Sequence, residues 1–122
     1  MTNSVTLHPP NSLLGVTDSA GGGVPPSEVP DVTPTATSSY VFVGCLMFQD
    51  GPTTVVLGPA GEVDQSGLMM FDGELDTPSR SVMVATVEWK AVLKQAVASD
   101  RTRVRIWANR EREPDNIVVG LD

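Results

Sequence analysis

Tyr40-Val41-Phe42-Val43-Gly44-Cys45-Leu46-Met47-Phe48 is the densest apolar run of the chain, and its reading decides the fold. β-Branched and aromatic residues dominate it, as in a strand. Tyr40, Phe42, Leu46 and Phe48 would line one face and Val41, Val43, Cys45 and Met47 the other. A strand apolar on both faces has to be covered on both.

Downstream of this run the sequence predicts a β-rich body over residues 40–122. Gln49-Asp50-Gly51-Pro52 forms a turn before a strand at 53–57, and residues 58–67 form a loop. A short apolar strand at 68–71 meets a turn-prone Asp72-Gly73, and a further strand covers 81–85. Strands at 102–107 and 116–121 flank the polar loop 108–115 and form a hairpin. Between them, Trp89, Val92, Leu93, Ala96 and Val97 recur at helical spacing, which predicts one amphipathic helix over about 87–99 with Thr86 as its N-cap. The fold class expected is mainly β or α+β: a small antiparallel sheet, sandwich or open barrel of five to seven short strands with one helix. One helix covers one face of one sheet. The doubly apolar strands therefore require either a folded-over sheet or another chain.

Upstream, residues 1–39 contain no Lys, Arg or aromatic residue and are rich in Thr, Ser, Pro and Gly. They are expected to form an extended N-terminal arm. Its tip, 4–16, carries Val5, Leu7, Leu13, Leu14 and Val16, and its tether, 17–39, contains Gly21-Gly22-Gly23 and four prolines. At roughly 3 Å per residue in polyproline geometry, the tether would span on the order of 60 Å.

Charge bounds the partners. The net charge is −7; residues 1–79 hold nine acidic groups and no basic one, and all eight Lys and Arg lie between Arg80 and Arg112. That balance opposes contact with nucleic acid and with an anionic membrane. The N-terminus lacks the pattern of a secretory signal and no apolar run reaches the ~20 residues of a membrane span. The expectation is an intracellular protein, or one built into a particle inside a cell.

Two alternating triplets stand out. Asp72, Glu74 and Asp76 would project from one face of a strand, as would Arg101, Arg103 and Arg105. The acids could hold a hard cation, but the spacing fails the EF-hand rule, and a solvated strand end is the simpler reading. The arginines suit a carboxylate-rich partner or an internal ladder with the acids. Trp89 and Trp107 read as core residues. The single histidine, His8, lies far in sequence from the single cysteine, Cys45, so neither a Ser-His-acid nor a Cys-His arrangement is supported, and no phosphate loop is present. No enzyme activity, cofactor or metal is expected. The partner is a protein.

Two functions follow. The first is a structural subunit or accessory protein of a larger assembly, such as a viral capsid, docking on neighbours through the arm tip and the two charged triplets as a homo-oligomer or within a hetero-assembly. The alternative is a small acidic inhibitor or immunity-type protein that occludes a basic protein with its acidic surface at 50–76.

Overall fold

A computed structural model describes residues 2–9, 12–21, 34–88 and 90–122. Its ten strands are β1 (Asn3–Leu7), β2 (Leu13–Asp18), β3 (Thr35–Ala36), β4 (Tyr40–Gly44), β5 (Thr53–Pro59), β6 (Leu68–Asp76), β7 (Ser81–Thr86), β8 (Ala91–Ala96), β9 (Arg101–Ala108) and β10 (Asn116–Leu121). They form two five-stranded sheets, ordered β1-β5-β10-β9-β6 (sheet A) and β3-β4-β2-β7-β8 (sheet B). All pairings are antiparallel except β5 with β10. The fold is mainly β, and the expected hairpin of β9 and β10 is present, with Ile117 opposite Ala108.

Alternation builds the core. Leu14 and Val16 of β2, Val41 and Val43 of β4, and Val82 and Val84 of β7 face Val55, Leu57, Val104, Ile106, Ile117 and Val119 of sheet A, all of them buried. Cys45 joins this core at 4% exposure. Burial pushes its thiol up to about 11, with the Thr53 hydroxyl pulling the other way. Thr53 Oγ1 has no hydrogen bond of ordinary geometry among the described residues, so this weak sulfur contact is its polar company.

The predicted arm tip is part of the body. β2 is the central strand of sheet B, paired with β4 on one side and β7 on the other, and β1 pairs with β5 at the edge of sheet A. Leu14 and Val16 are each 1% exposed, Val5 and Leu7 pack partly against the core, and Leu13 is half-buried. The physical reason is that a half-buried strand needs apolar residues only at alternate positions, and LLGVTD supplies them. Its other face is small: a β-carbon at Gly15 would overlap the Tyr40 ring, which crosses from β4 over β2. Asp18 closes the strand, buried and accepting from Ser79 N–H at 3.0 Å, Ser79 Oγ–H at 2.8 Å and Ala20 N–H at 3.0 Å. Of the predicted tether, residues 22–33 lie outside the described residues.

The expected helix over 87–99 is replaced by β8, an edge strand paired to β7. A register shift opposite Val84 and Ala85 breaks the alternation of β8, so adjacent Val92 and Leu93 both reach the core. Two neighbouring apolar residues in contact mimic helical spacing, and pairing overrides helix propensity. Trp89, the first residue of that predicted stripe, lies outside the described residues.

Asp72-Gly73 is no turn either, since β6 runs unbroken from Leu68 to Asp76. Gly73 is required by close approach: a β-carbon there would lie 2.8 Å from Phe71 Cζ. Of the apolar strands, β4 and β7 are buried on both faces, whereas the head of β6 is not. On the second face of sheet B, Tyr40, Phe42 and Met83 are 1%, 8% and 5% exposed, the two rings meeting at 4.8 Å between centroids.

Candidate protein-interaction face

The two charged triplets meet on the outer face of sheet A. β6 and β9 pair so that Asp72 lies opposite Arg105, Glu74 opposite Arg103 and Asp76 opposite Arg101. The side chains connect along the diagonals. Arg103 grips Asp72 through two bonds, Nε–H at 2.9 Å and Nη2–H at 2.7 Å. This fork holds the Asp72 carboxyl below its ordinary range and raises the guanidinium. Arg101 is shared loosely, 3.6 Å from Glu74 and 3.8 Å from Asp76. Arg105 reaches the other way, to Asp122 Oδ2 at 3.0 Å, and lies 5.4 Å over the Trp107 ring.

Trp107 is 3% exposed on this outer face. Segment 60–67 crosses the sheet here on its way from β5 to β6. A β-carbon at Gly120 would touch Trp107 Cζ3, Ala60 Cα and Val63 Cγ2 at 2.9, 3.1 and 3.2 Å, so indole and crossover meet above that glycine. The crossover carries exposed Glu62 and Asp64, the latter accepting Ser66 N–H at 2.9 Å and held below its usual range by the Ser66 hydroxyl first and that N–H second. Four carboxylates (Asp72, Glu74, Asp76 and Asp122) therefore stand among three guanidiniums on this face, and the exposed crossover adds Glu62 and Asp64. The excess of negative charge survives the ladder.

The arrangement is suited to binding a macromolecular surface. The face is broad, strand-supported and charged, and two open clefts border it, one of about 610 Å³ bounded by Asp76, Pro78, Asp100 and Arg101 and one of about 240 Å³ bounded by Pro59, Val97, Arg101 and Asp122. Among the described residues no group of three or more His, Cys, Asp or Glu is placed to hold a metal ion. The triplets are thus brought together, whereas Leu14 and Val16, expected to dock on a neighbour, are withdrawn into the core with Val5 and Leu7 packed against it.

The sequence reading placed a strand at 68–71 but missed that its head stays exposed and that it runs on through Asp76. Leu68 and Met69 are 52% and 50% exposed, large apolar residues on an edge strand just ahead of the acids. Their signal in the sequence is the apolar run Leu68 to Phe71 passing directly into an acid-x-acid-x-acid alternation, which marks one long strand with two chemically distinct halves.

No family model matches the chain, and no curated protein matches it. Two solved structures share its sandwich. One is ComJ from Bacillus subtilis, an inhibitor of the DNA-degrading activity of NucA. It is 8% identical, with a TM-score of 0.58 over 98% of this chain and 93% of that one. The other is the protein of crocagin biosynthetic gene J, 14% identical, with a TM-score of 0.60 over 99% of this chain and 96% of that one. At these identities the likeness is one of fold.

Proposed function

We propose that the chain is a non-enzymatic inhibitor that occludes a basic protein with the outer face of sheet A, and that a nuclease is the class of protein it occludes. The observation that carries this reading is the surplus of carboxylates on one rigid, strand-built face. A nuclease holds phosphate with Lys and Arg, and a preorganised acidic surface competes for the same groups. The shared fold with an inhibitor of a DNA-degrading activity supports it. Cys45, buried with a raised thiol, is withdrawn from nucleophilic use. The rival reading, a capsid or shell subunit, drew on a free apolar tip and uncovered strand faces; the burial of Leu14 and Val16 and of both faces of β4 and β7 takes away part of that ground.

The test is DNA digestion by a panel of basic nucleases with and without stoichiometric chain. At least one should be slowed through a complex visible by mass measurement, with inhibition weakening as salt rises. The triple reversal Asp72→Lys, Glu74→Lys, Asp76→Lys should abolish it; because the reversal sets three lysines against Arg101, Arg103 and Arg105, the neutral variant Asp72→Asn, Glu74→Gln, Asp76→Asn is measured beside it and should weaken inhibition with an unchanged far-ultraviolet spectrum. Inhibition intact in either variant, or no complex with any basic nuclease, would refute the proposal.

A further inference from the structure

We infer that β6 is an open docking edge that accepts an extended partner segment of alternating basic residues as a sixth strand of sheet A. The inference rests on the occlusion proposed above and names how the partner is held. β6 ends sheet A, with β9 on one side and no strand on the other among the described residues. The direction of its backbone groups follows from the ladder. Thr77 N–H donates to Asp100 O at 2.8 Å, continuing the β6–β9 register by one pair. In an antiparallel pair the bonded residues alternate, so Leu75 and Gly73 face β9 while Asp72, Glu74 and Asp76 turn N–H and C=O outward. The outward N–H of Asp76 is taken by Ser38 O at 2.8 Å, which closes that end. Among the described residues Asp72 and Glu74 remain as the open bonding positions, and they are the residues whose side chains carry the acids.

The chemistry of the edge selects its occupant. A second copy is disfavoured, because a two-fold pairing centred on Gly73 sets Asp72 against Glu74 twice, like charge opposite like charge. Acids and a bulge on an edge strand are a known protection against self-pairing, and β6 has its bulge between Met69 and Phe71. The same acids favour a strand with Lys or Arg at every second position, opposite Asp72 and Glu74. Glu74 shares Arg101 with Asp76 at bonding distances too long for a fork, so it has attraction left for an incoming cation. Exposed Leu68 and Met69 at the head of the strand then meet an apolar residue beyond the basic pair. Backbone bonds supply affinity in such strand addition and alternate side chains supply choice.

The experiment titrates isotope-labelled full chain with a synthetic decapeptide alternating Lys and Val, followed by amide shifts and hydrogen exchange. The expected result is shifted, exchange-protected N–H groups at Asp72 and Glu74. A counterpart peptide methylated on alternate backbone nitrogens keeps the charge and should bind about tenfold more weakly or worse. Glu74→Pro should lose the same factor and keep its fold, since the deleted N–H points away from β9. Equal binding of the two peptides, shifts confined to other strands, or no binding would overturn the inference. The two proposals fail separately. Nuclease inhibition lost on the triple reversal but untouched by Glu74→Pro removes strand addition and keeps the occluding face. A protected edge with no inhibition of any basic nuclease does the opposite.

Discussion

Leu14→Ala, Val16→Ala and Val5→Ala together test whether the first forty residues are an arm or part of the body. Leu14 is 1% exposed in the central strand of sheet B and packs in the core shared by both sheets. Removing a fully buried leucine side chain costs roughly 3–4 kcal/mol, from lost transfer energy and the cavity left behind. Val16, also 1% exposed, should cost about 2 kcal/mol. Val5, half-buried on the edge strand β1, should cost about 1 kcal/mol. A chain of this length is held by about 6–15 kcal/mol, so the first loss is a large share of the total.

Urea unfolding followed by fluorescence or circular dichroism reads these values. With a slope of roughly 1.5 kcal/mol per molar, Leu14→Ala should lower the midpoint by about 2 M and Val5→Ala by less than about 1 M. The order Leu14, Val16, Val5 should hold at unchanged slope. Deleting residues 2–18 removes the strand to which β4 and β7 are both paired, and that fragment should give the spectrum of an unfolded chain. A Leu14→Ala loss below about 1 kcal/mol, or a cooperative fold in the truncated chain, would refute the placement of β2 and restore a detachable arm.

Gly15→Ala should destabilise by about 1–3 kcal/mol, because the new methyl group overlaps the Tyr40 ring; Tyr40→Phe in the same background relieves only the hydroxyl contact, so a partial recovery of the urea midpoint is expected. Cys45 should resist thiol reagents at pH 8 and react at the rate of global opening. Since its folded value, about 11, lies above the unfolded one, its contribution is present below the unfolded value and disappears as pH rises through about 11. The Asp72 carboxyl, read by NMR titration, should protonate below its ordinary value of 3.8 and return towards it in Arg103→Ala. Because its folded value is depressed, what the pairing adds is present above 3.8 and lost as pH falls through the lower folded value.

The β character and the hairpin of β9 and β10 were legible because their strands are apolar at period two and bounded by turn residues. The alternation of Asp72, Glu74 and Asp76 and of Arg101, Arg103 and Arg105 was legible too, but their pairing was only one of its readings, since it depends on β6 lying beside β9. β2 was not legible, because composition averages over a window while a strand's burial depends on two or three positions, here Leu14 and Val16 in a segment rich in Thr, Ser, Pro and Gly. The helix reading failed at a bulge, which puts consecutive residues on one side and so counterfeits the helical period in Val92 and Leu93. The open edge was out of reach for a different reason. Which backbone groups of β6 lack a partner depends on strand order, and local sequence does not encode order.

The ladder on sheet A is better understood as a positioning device than as a source of stability. Asp72 and Arg103 are 41% and 50% exposed at their side chains, and ion pairs open to solvent contribute little to stability. What the pairs do is cancel repulsion between acids that alternation packs onto one strand, at about 6.8 Å between successive outward residues. Without Arg101 and Arg103, that row would oppose its own folding as well as the approach of another copy. With them, the row is held at fixed spacing, Asp72 locked by a two-point grip and Glu74 and Asp76 sharing a single cation. The unsatisfied attraction therefore lies towards the Glu74 end of the open edge, where the outward backbone groups also lie. Charge and hydrogen-bonding capacity coincide there, and this coincidence favours an extended basic chain over a merely basic surface.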